Sequence, residues 1–254
     1  GEAVLTARMT DRPIRPLFPD GMRNEVQVML MSLSADTENP LDILAINAAS
    51  ASLMISDIPW AGPIGAVRIG YINEQLVVNP GFSEMEESKL DLVVAGTQEA
   101  IAMVECGANE VSEQVMVKAL ELAHQSIQPI ISLQQQMAQE VGKDKREVET
   151  VVVGPDLIEQ VTAKVKNPLM EILNKPYSKE NLYGGISDLK AAVIEEMTAD
   201  QAETLSEAEL KQLKKAIGNA FGEAEKAIVR QRILKEHKRP DGRGPDKVRD
   251  IWCE

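Results

Sequence analysis

The stretch "GAVRIGYINEQLVVNP", Gly65 to Pro80, reads as two strands folded back on each other about a turn at Asn73-Glu74. Downstream, "KLDLVVAGT" (Lys89 to Thr97) and "AIAMVECGA" (Ala100 to Ala108) share its apolar, glycine-punctuated texture and predict two further strands. At "SEQVMVKALELAHQSIQPIISLQQQMAQEVG", Ser112 to Gly142, the period changes to that of a long amphipathic helix whose Gln-rich end is exposed. Upstream, "NPLDILAINAASASLMIS", Asn39 to Ser56, opens on an Asn-Pro start signal and carries many small residues, which predicts a helix packed closely on a sheet. "EVQVMLMSLSAD", Glu25 to Asp36, alternates and is expected to be a half- to fully buried strand. Glu2 to Met9 is compatible with a helix, broken by Pro13 and Pro16. Helix, strand, helix, four strands and helix in that order make an α+β layered domain over residues 1–142.

After Gly142 the texture changes. "KDKREVETVVVGP" is a charged linker with a short apolar run, and the pattern is then almost entirely helical to residue 238. Asp156 is positioned to cap a helix reaching Lys166, "NPLMEIL" restarts at Asn167-Pro168, and "ISDLKAAVIEEMT" follows Gly184-Gly185. A long final helix begins at Ser206, which with Glu209 forms a capping-box pattern. Residues 143–238 are therefore expected to be an all-α domain.

The 254 residues, 44% hydrophobic, suffice for one large or two modest cores. No apolar run approaches the roughly 20 residues that span a bilayer. The first residues, Gly-Glu-Ala-Val, have neither an initiator Met nor a leader pattern, so the chain reads as a piece cut inside an element at both ends. Cys106 and Cys253 lie far apart without metal-ligand spacing, which points to a reducing compartment. The net charge of −13 is unevenly spread: residues 1–142 hold 7 Lys+Arg against 19 Asp+Glu, and residues 143–254 hold 20 against 21. Lys226 to Asp250 alone has 9 basic and 4 acidic residues, so a polyanion held in a local basic channel is compatible with the acidic whole.

Among candidate chemistries, His124 in a helix and His237 in a basic linker read as structural, and no hydrolase triad can be drawn. "GAVRIG" and "YGGIS" lack the lysine and the strand-to-helix setting of a phosphate cradle. Glu84, Glu86 and Glu87 read as a solvated turn in preference to a metal cluster. The arginines of "RMTDRPIRPLFPDGM" are different. Arg8, Arg12 and Arg15, spaced four and three apart, fall on one helical face, where guanidinium groups fork onto successive phosphates. The competing arrangement is a structural network in which Asp11 and Asp20 neutralise them.

"ARMTDRPIRPLFPDGMRNEVQV", "ISDIPWAGPIGAVRIGYINEQLVVNP" and "ESKLDLVVAGTQEAIAMVECGANEVSE" together strongly resemble the first RNase PH-like core of the polynucleotide phosphorylase family. The helical region is similar to that family's all-α linker, and "RPDGRGPDKVRDI" from Arg239 resembles the opening of its second core, here residues 239–254. The resemblance implies a parent enzyme that uses inorganic phosphate to release nucleoside 5′-diphosphates from the 3′ end of single-stranded RNA, and that runs in reverse as a polymerase. It also implies a ring-shaped homotrimer, possible partners in an RNA-decay complex, a cytoplasmic setting or an organelle of bacterial descent, and no membrane. Mg2+ and the catalytic groups are expected in the second core of the parent, outside this chain. Arg8, Arg12 and Arg15 match the family's "R..DRPIRP" pattern as RNA- or phosphate-binding residues. Asp11 stands where the related RNase PH segment has Gly, and it is expected to quench Arg12, leaving the relic of a phosphate site. The "RPDGR" stretch is expected to begin a core and fix a turn and a first strand. A non-catalytic ring scaffold or RNA-binding subunit is the alternative.

Overall fold

A computed structural model describes residues 1–150, 152–201 and 204–253. Its contacts divide the chain into two compact units, Gly1–Val151 and Val152–Glu254. The first unit contains α1 (Glu2–Ile14), a 3-10 turn (Arg15–Leu17), α2 (Leu41–Ile55), β1 (Gly65–Ile72), β2 (Gln75–Val78), the short α3 (Phe82–Met85), β3 (Leu90–Gly96), β4 (Ile101–Ala108) and α4 (Glu113–Val141). The second contains α5 (Pro155–Asn174), α6 (Lys179–Thr198), a 3-10 turn (Ala199–Gln201) and α7 (Glu207–Glu236).

The strands form one antiparallel sheet in the order β2-β1-β3-β4. Its founding hairpin turns at Asn73 (φ 48) and Glu74 (φ 62), the paired left-handed conformations that match strand twist in a two-residue loop. Side chains alternate across a strand, and the central strands β1 and β3 are buried on both faces, whereas the edge strands β2 and β4 are largely open. Val67, Ile69, Leu92 and Val94 pack with Ala119, Ala123 and Ile127 of α4. Ala66, Val93, Ala95 and Met103 pack on the other face with Ile14 of α1 and Ile43, Ile46 and Ala49 of α2. The first unit is thus a helix–sheet–helix layer structure of α+β type.

The small residues of α2 are explained by what they touch. Asn47 in α2 brackets the first strand, donating to the Ala66 carbonyl (3.0 Å) and accepting from its amide (2.8 Å). The Ser50 hydroxyl donates to Gln134 Oε1 of α4 (2.6 Å) and accepts from the Ile64 amide (3.0 Å), while Gln134 Nε2 donates to the Ile64 carbonyl (2.8 Å). This closed polar triad satisfies buried groups that an apolar core would leave unpaired. Gly65 is required by close approach: a Cβ there would lie 2.8 Å from that of Ile127.

Several local expectations are corrected. Glu25–Asp36 forms no strand; no ladder includes it, Val26 at its start packs against the core, and Asp36 at its end accepts from the Glu38 and Asn39 amides. Met29, Met31 and Leu33 are 74%, 79% and 93% exposed. Alternation favours a pleated, half-buried surface only where a neighbouring strand supplies the hydrogen bonds, and none lies beside this segment among the described residues. α1 continues past Pro13 to Ile14, because a proline in the last turn forfeits one intrahelical bond while its ring is buried. In the second unit, α5 runs unbroken through Pro168 and is preceded by Gly154, with Pro155 at its first position, so Asp156 lies inside the first turn and makes no side-chain cap. α6 starts at Lys179, where Ser178 accepts from the Asn181 amide (3.0 Å), and it continues through Gly184-Gly185. Gly185 lies against Ile172 of α5 (3.3 Å for an added Cβ), so here glycine marks tight packing and not a break. The Ser206–Glu209 capping box at the start of α7 is present in both directions.

The charged stretch after α4 stays with the first unit. Lys145 Nζ donates to the carbonyls of Leu53 (2.7 Å), Met54 (3.1 Å) and Ser56 (2.8 Å), the free acceptors at the end of α2. Arg146 pairs with Asp57, and the Lys143 amide donates to the Ile55 carbonyl (3.1 Å).

Candidate nucleic-acid interface

α1 carries Arg8 and Arg12, and the 3-10 turn that continues it carries Arg15, so the expected common face forms. What each guanidinium meets differs. Arg12 reaches β4, ion-pairing with Glu105 and donating from Nη2 to the Val104 carbonyl (3.4 Å). Arg15 forks onto Asp11, Nε to Oδ2 at 3.0 Å and Nη2 to Oδ1 at 2.7 Å. Arg8 is exposed and makes no ion pair among the described residues.

The expected neutralisation is therefore redistributed. Asp11 engages Arg15, one helical turn on, and not its sequence neighbour Arg12, because side chains four apart share a helix face and adjacent ones do not. Asp20 pairs with no arginine among the described residues. Glu105, the partner of Arg12, lies 93 residues away in a strand and has no local signature in the sequence.

The other candidates resolve into structure. His124 Nε2 lies 3.3 Å from the Thr97 carbonyl and joins α4 to the β3–β4 turn. Glu84 caps α3 by accepting from the Gly81 amide (2.9 Å). Burial, with the charges of Asp91 and Glu105 added, pushes the Cys106 thiol up, so it stays protonated at neutral pH. Among the described residues no three His, Cys, Asp or Glu converge to hold a metal.

The "RPDGRGPDK" stretch is stitched to itself. The Arg239 amide donates to the Arg243 carbonyl (2.8 Å), the Gly242 amide to the Arg239 carbonyl (2.9 Å), and Gly242 takes a positive φ of 82. Asp241 accepts from Arg243 Nε (2.9 Å), a bond that pulls its carboxyl below the usual range, and Arg243 Nη1 donates to the Lys247 carbonyl (2.9 Å). These arginines fold the expected turn, but the first strand expected after it does not form among the described residues.

Comparison with known proteins matches three successive parts of the chain. Residues 1–59 match the 3' exoribonuclease family, domain 1, and residues 62–126 match domain 2 of that family. Residues 156–244 match the polyribonucleotide nucleotidyltransferase RNA binding domain. The chain belongs to the polyribonucleotide nucleotidyltransferase family. Proteins of that name from Koribacter versatilis and Thermus thermophilus are each 44% identical to it, over 99% and 100% of this chain. One from Deinococcus radiodurans is 45% identical over 100% of it. The chain spans about a third of the length of these relatives, covering 30%, 35% and 32% of them. The two exoribonuclease matches lie within the layered unit, and the family's RNA-binding domain lies within the helical one.

Proposed function

We propose that the protein is a phosphorolytic 3′-to-5′ exoribonuclease acting in RNA turnover. An oxygen of inorganic phosphate attacks the phosphorus that links the last nucleotide to its neighbour. The bond from that phosphorus to the neighbour's 3′ oxygen breaks, and the oxygen leaves with a proton as a new 3′ hydroxyl. The product is a nucleoside 5′-diphosphate, and reversal of the same step extends RNA. The observation that carries this reading is the ordered match of two exoribonuclease domains and the nucleotidyltransferase RNA-binding domain along one chain.

This chain's part in that reaction is to hold and guide RNA. Arg8 offers a free guanidinium for a phosphate, while Arg12 and Arg15 spend their donors on Glu105 and Asp11 and contribute mainly to the fold. Such pairing suits a core that has ceased to turn over substrate, with Mg2+ and the catalytic groups in a second core. A homotrimeric ring, a cytoplasmic setting and association with decay partners belong to the same proposal. Among the described residues no helix is long and apolar enough to cross a membrane.

The test is single-stranded RNA incubated with the intact protein and magnesium, with and without inorganic phosphate. Nucleoside diphosphates are expected only with phosphate. Nucleoside monophosphates released without phosphate overturn the reading in favour of hydrolysis. RNA binding with no release favours the non-catalytic scaffold. The chain of 254 residues alone is expected to release none.

A further inference from the structure

Aromatic residues make up only 3% of the chain, yet two of its three tyrosines lie within one short turn, "NKPYSKENLY", Asn174 to Tyr183. Both are exposed, Tyr177 at 48% and Tyr183 at 61%, and Lys175 and Lys179 beside them are exposed too. Tyrosine normally buries most of its ring, so two open rings between two cations need a reason.

Packing along the helices shows what shares this end of the bundle. Lys164 of α5 pairs with Glu196 near the end of α6, and Ile172 near the end of α5 lies against Gly185 near the start of α6. α6 thus runs antiparallel to α5. Gly218 of α7 lies against Lys190 and Ile194 of α6, and the Lys190 ammonium sits 5.9 Å from the Phe221 ring centre. From Lys190 back to Lys179 and from Phe221 forward to Arg232 are equal lengths of helix, roughly 16 Å each at 1.5 Å per residue. The basic C-terminal part of α7 therefore reaches the end that bears the tyrosines.

The charge is polarised along the bundle. Residues 226–239 hold 6 Lys+Arg against 1 Asp+Glu, whereas residues 193–199 and 204–210, at the opposite end, hold none against 4. Arg230 and Lys235 are exposed and make no ion pair among the described residues. Arg232 is 5% exposed, and its Nε and Nη1 have no hydrogen-bond partner; Glu236 stands 3.7 Å from Nε, too far for one. The buried guanidinium, with Glu236 3.7 Å away, adds its field to the same end, where Glu171, Glu180 and Glu236 oppose it.

We propose that this end of the helical unit is a stacking platform for single-stranded RNA: Tyr177 and Tyr183 take bases, and Lys175, Lys179, Arg230 and Lys235 take the phosphates between them. Exposed rings interleaved with cations suit a single strand, since every base has a face to stack and the backbone supplies the opposing charge. The assignment rests on the RNA-processing reading above and names the surface that would serve it.

The experiment is equilibrium binding of a fluorescent single-stranded RNA to the intact protein across a salt series. Tyr177→Ala with Tyr183→Ala is expected to weaken binding about five-fold or more, and Phe at both positions to restore it, because the ring and not the hydroxyl does the stacking. Lys175→Gln with Lys179→Gln is expected to lower the slope of log affinity against log salt by roughly 0.7 for each phosphate no longer neutralised. Lys211→Gln with Lys214→Gln, an equal charge change at the other end of α7, is expected to alter neither. Unchanged affinity and slope in both the tyrosine and lysine variants overturn the platform, as does an equal loss in the Lys211/Lys214 control. A loss that Phe fails to restore also counts against stacking. Phosphorolysis by the unsubstituted protein is scored separately, so failure of the enzyme reading and failure of the platform are distinct results.

Discussion

The arginine face of α1 and the tyrosine–lysine end of the helical bundle look alike as strings of letters, but differ in what their cations touch. On α1, two of three guanidinium groups already have carboxylate partners, one supplied from the same helix and one from a strand. At the bundle end exposed cations and exposed rings alternate in the sequence, and the carboxylates there, Glu171, Glu180 and Glu236, are fewer than the cations. Neither the net charge of −13 nor the local count of basic residues separates the two regions. Pairing does, because a guanidinium held by a carboxylate must exchange that partner before it can take a phosphate.

Removing the support of one region while sparing the other gives the largest effects. Phe221 is fully buried at the centre of the α5–α6–α7 core, and Phe221→Ala is expected to destabilise that unit by about 3–5 kcal/mol. Two-probe denaturation would register it as early melting of the helical unit with the layered unit intact; a single transition displaced as a whole would contradict the division into two units. The counterpart is Gln134→Ala, which strands the Ser50 hydroxyl and the Ile64 carbonyl in the interior of the layered unit, at about 2–3 kcal/mol. Its expected signature is the reverse order of melting.

Smaller changes sharpen the contrast. Glu105→Gln releases Arg12 from its carboxylate and is expected to raise RNA affinity several-fold at low salt, with a stability cost of no more than about 1 kcal/mol for a surface pair. If affinity stays constant while stability falls, Arg12 has only a structural role. The smallest effect concerns the capping box. Ser206 holds the Glu209 carboxyl below its usual range, so the stabilisation is present above the unfolded value near pH 4.3 and is lost as pH falls through the lower folded value. Thermal melts of the helical unit between about pH 5 and 3 should show this slope in the unsubstituted protein and a shallower one in Glu209→Ala.

The sheet and its helices are legible in the sequence because their signals are local. The Asn73-Glu74 turn, the apolar strands after it and the Ser206–Glu209 box each rest on residues a few positions apart. Helix boundaries expected at Pro13, Pro168 and Gly184-Gly185 do not form, since burial of a ring or close packing on α5 outweighs intrinsic preference there. Glu25–Asp36 has the pattern of a strand, and only the lack of a neighbour denies it the ladder. In the candidate site, the common face of Arg8, Arg12 and Arg15 follows from spacing, whereas Glu105 does not, because a strand residue 93 positions away carries no mark of its partner. Tyr177 and Tyr183 give no signal in the sequence for a related reason: their exposure, and the basic stretch of α7 that reaches them, are products of the antiparallel bundle.

The most direct measurement is photo-crosslinking of 4-thiouridine-substituted single-stranded RNA to the intact protein, with adducts mapped by mass spectrometry. The account predicts adducts within residues 175–183 and 226–238, centred on Tyr177 and Tyr183. Adducts confined to α1 and the sheet, with none in the helical unit, would contradict it.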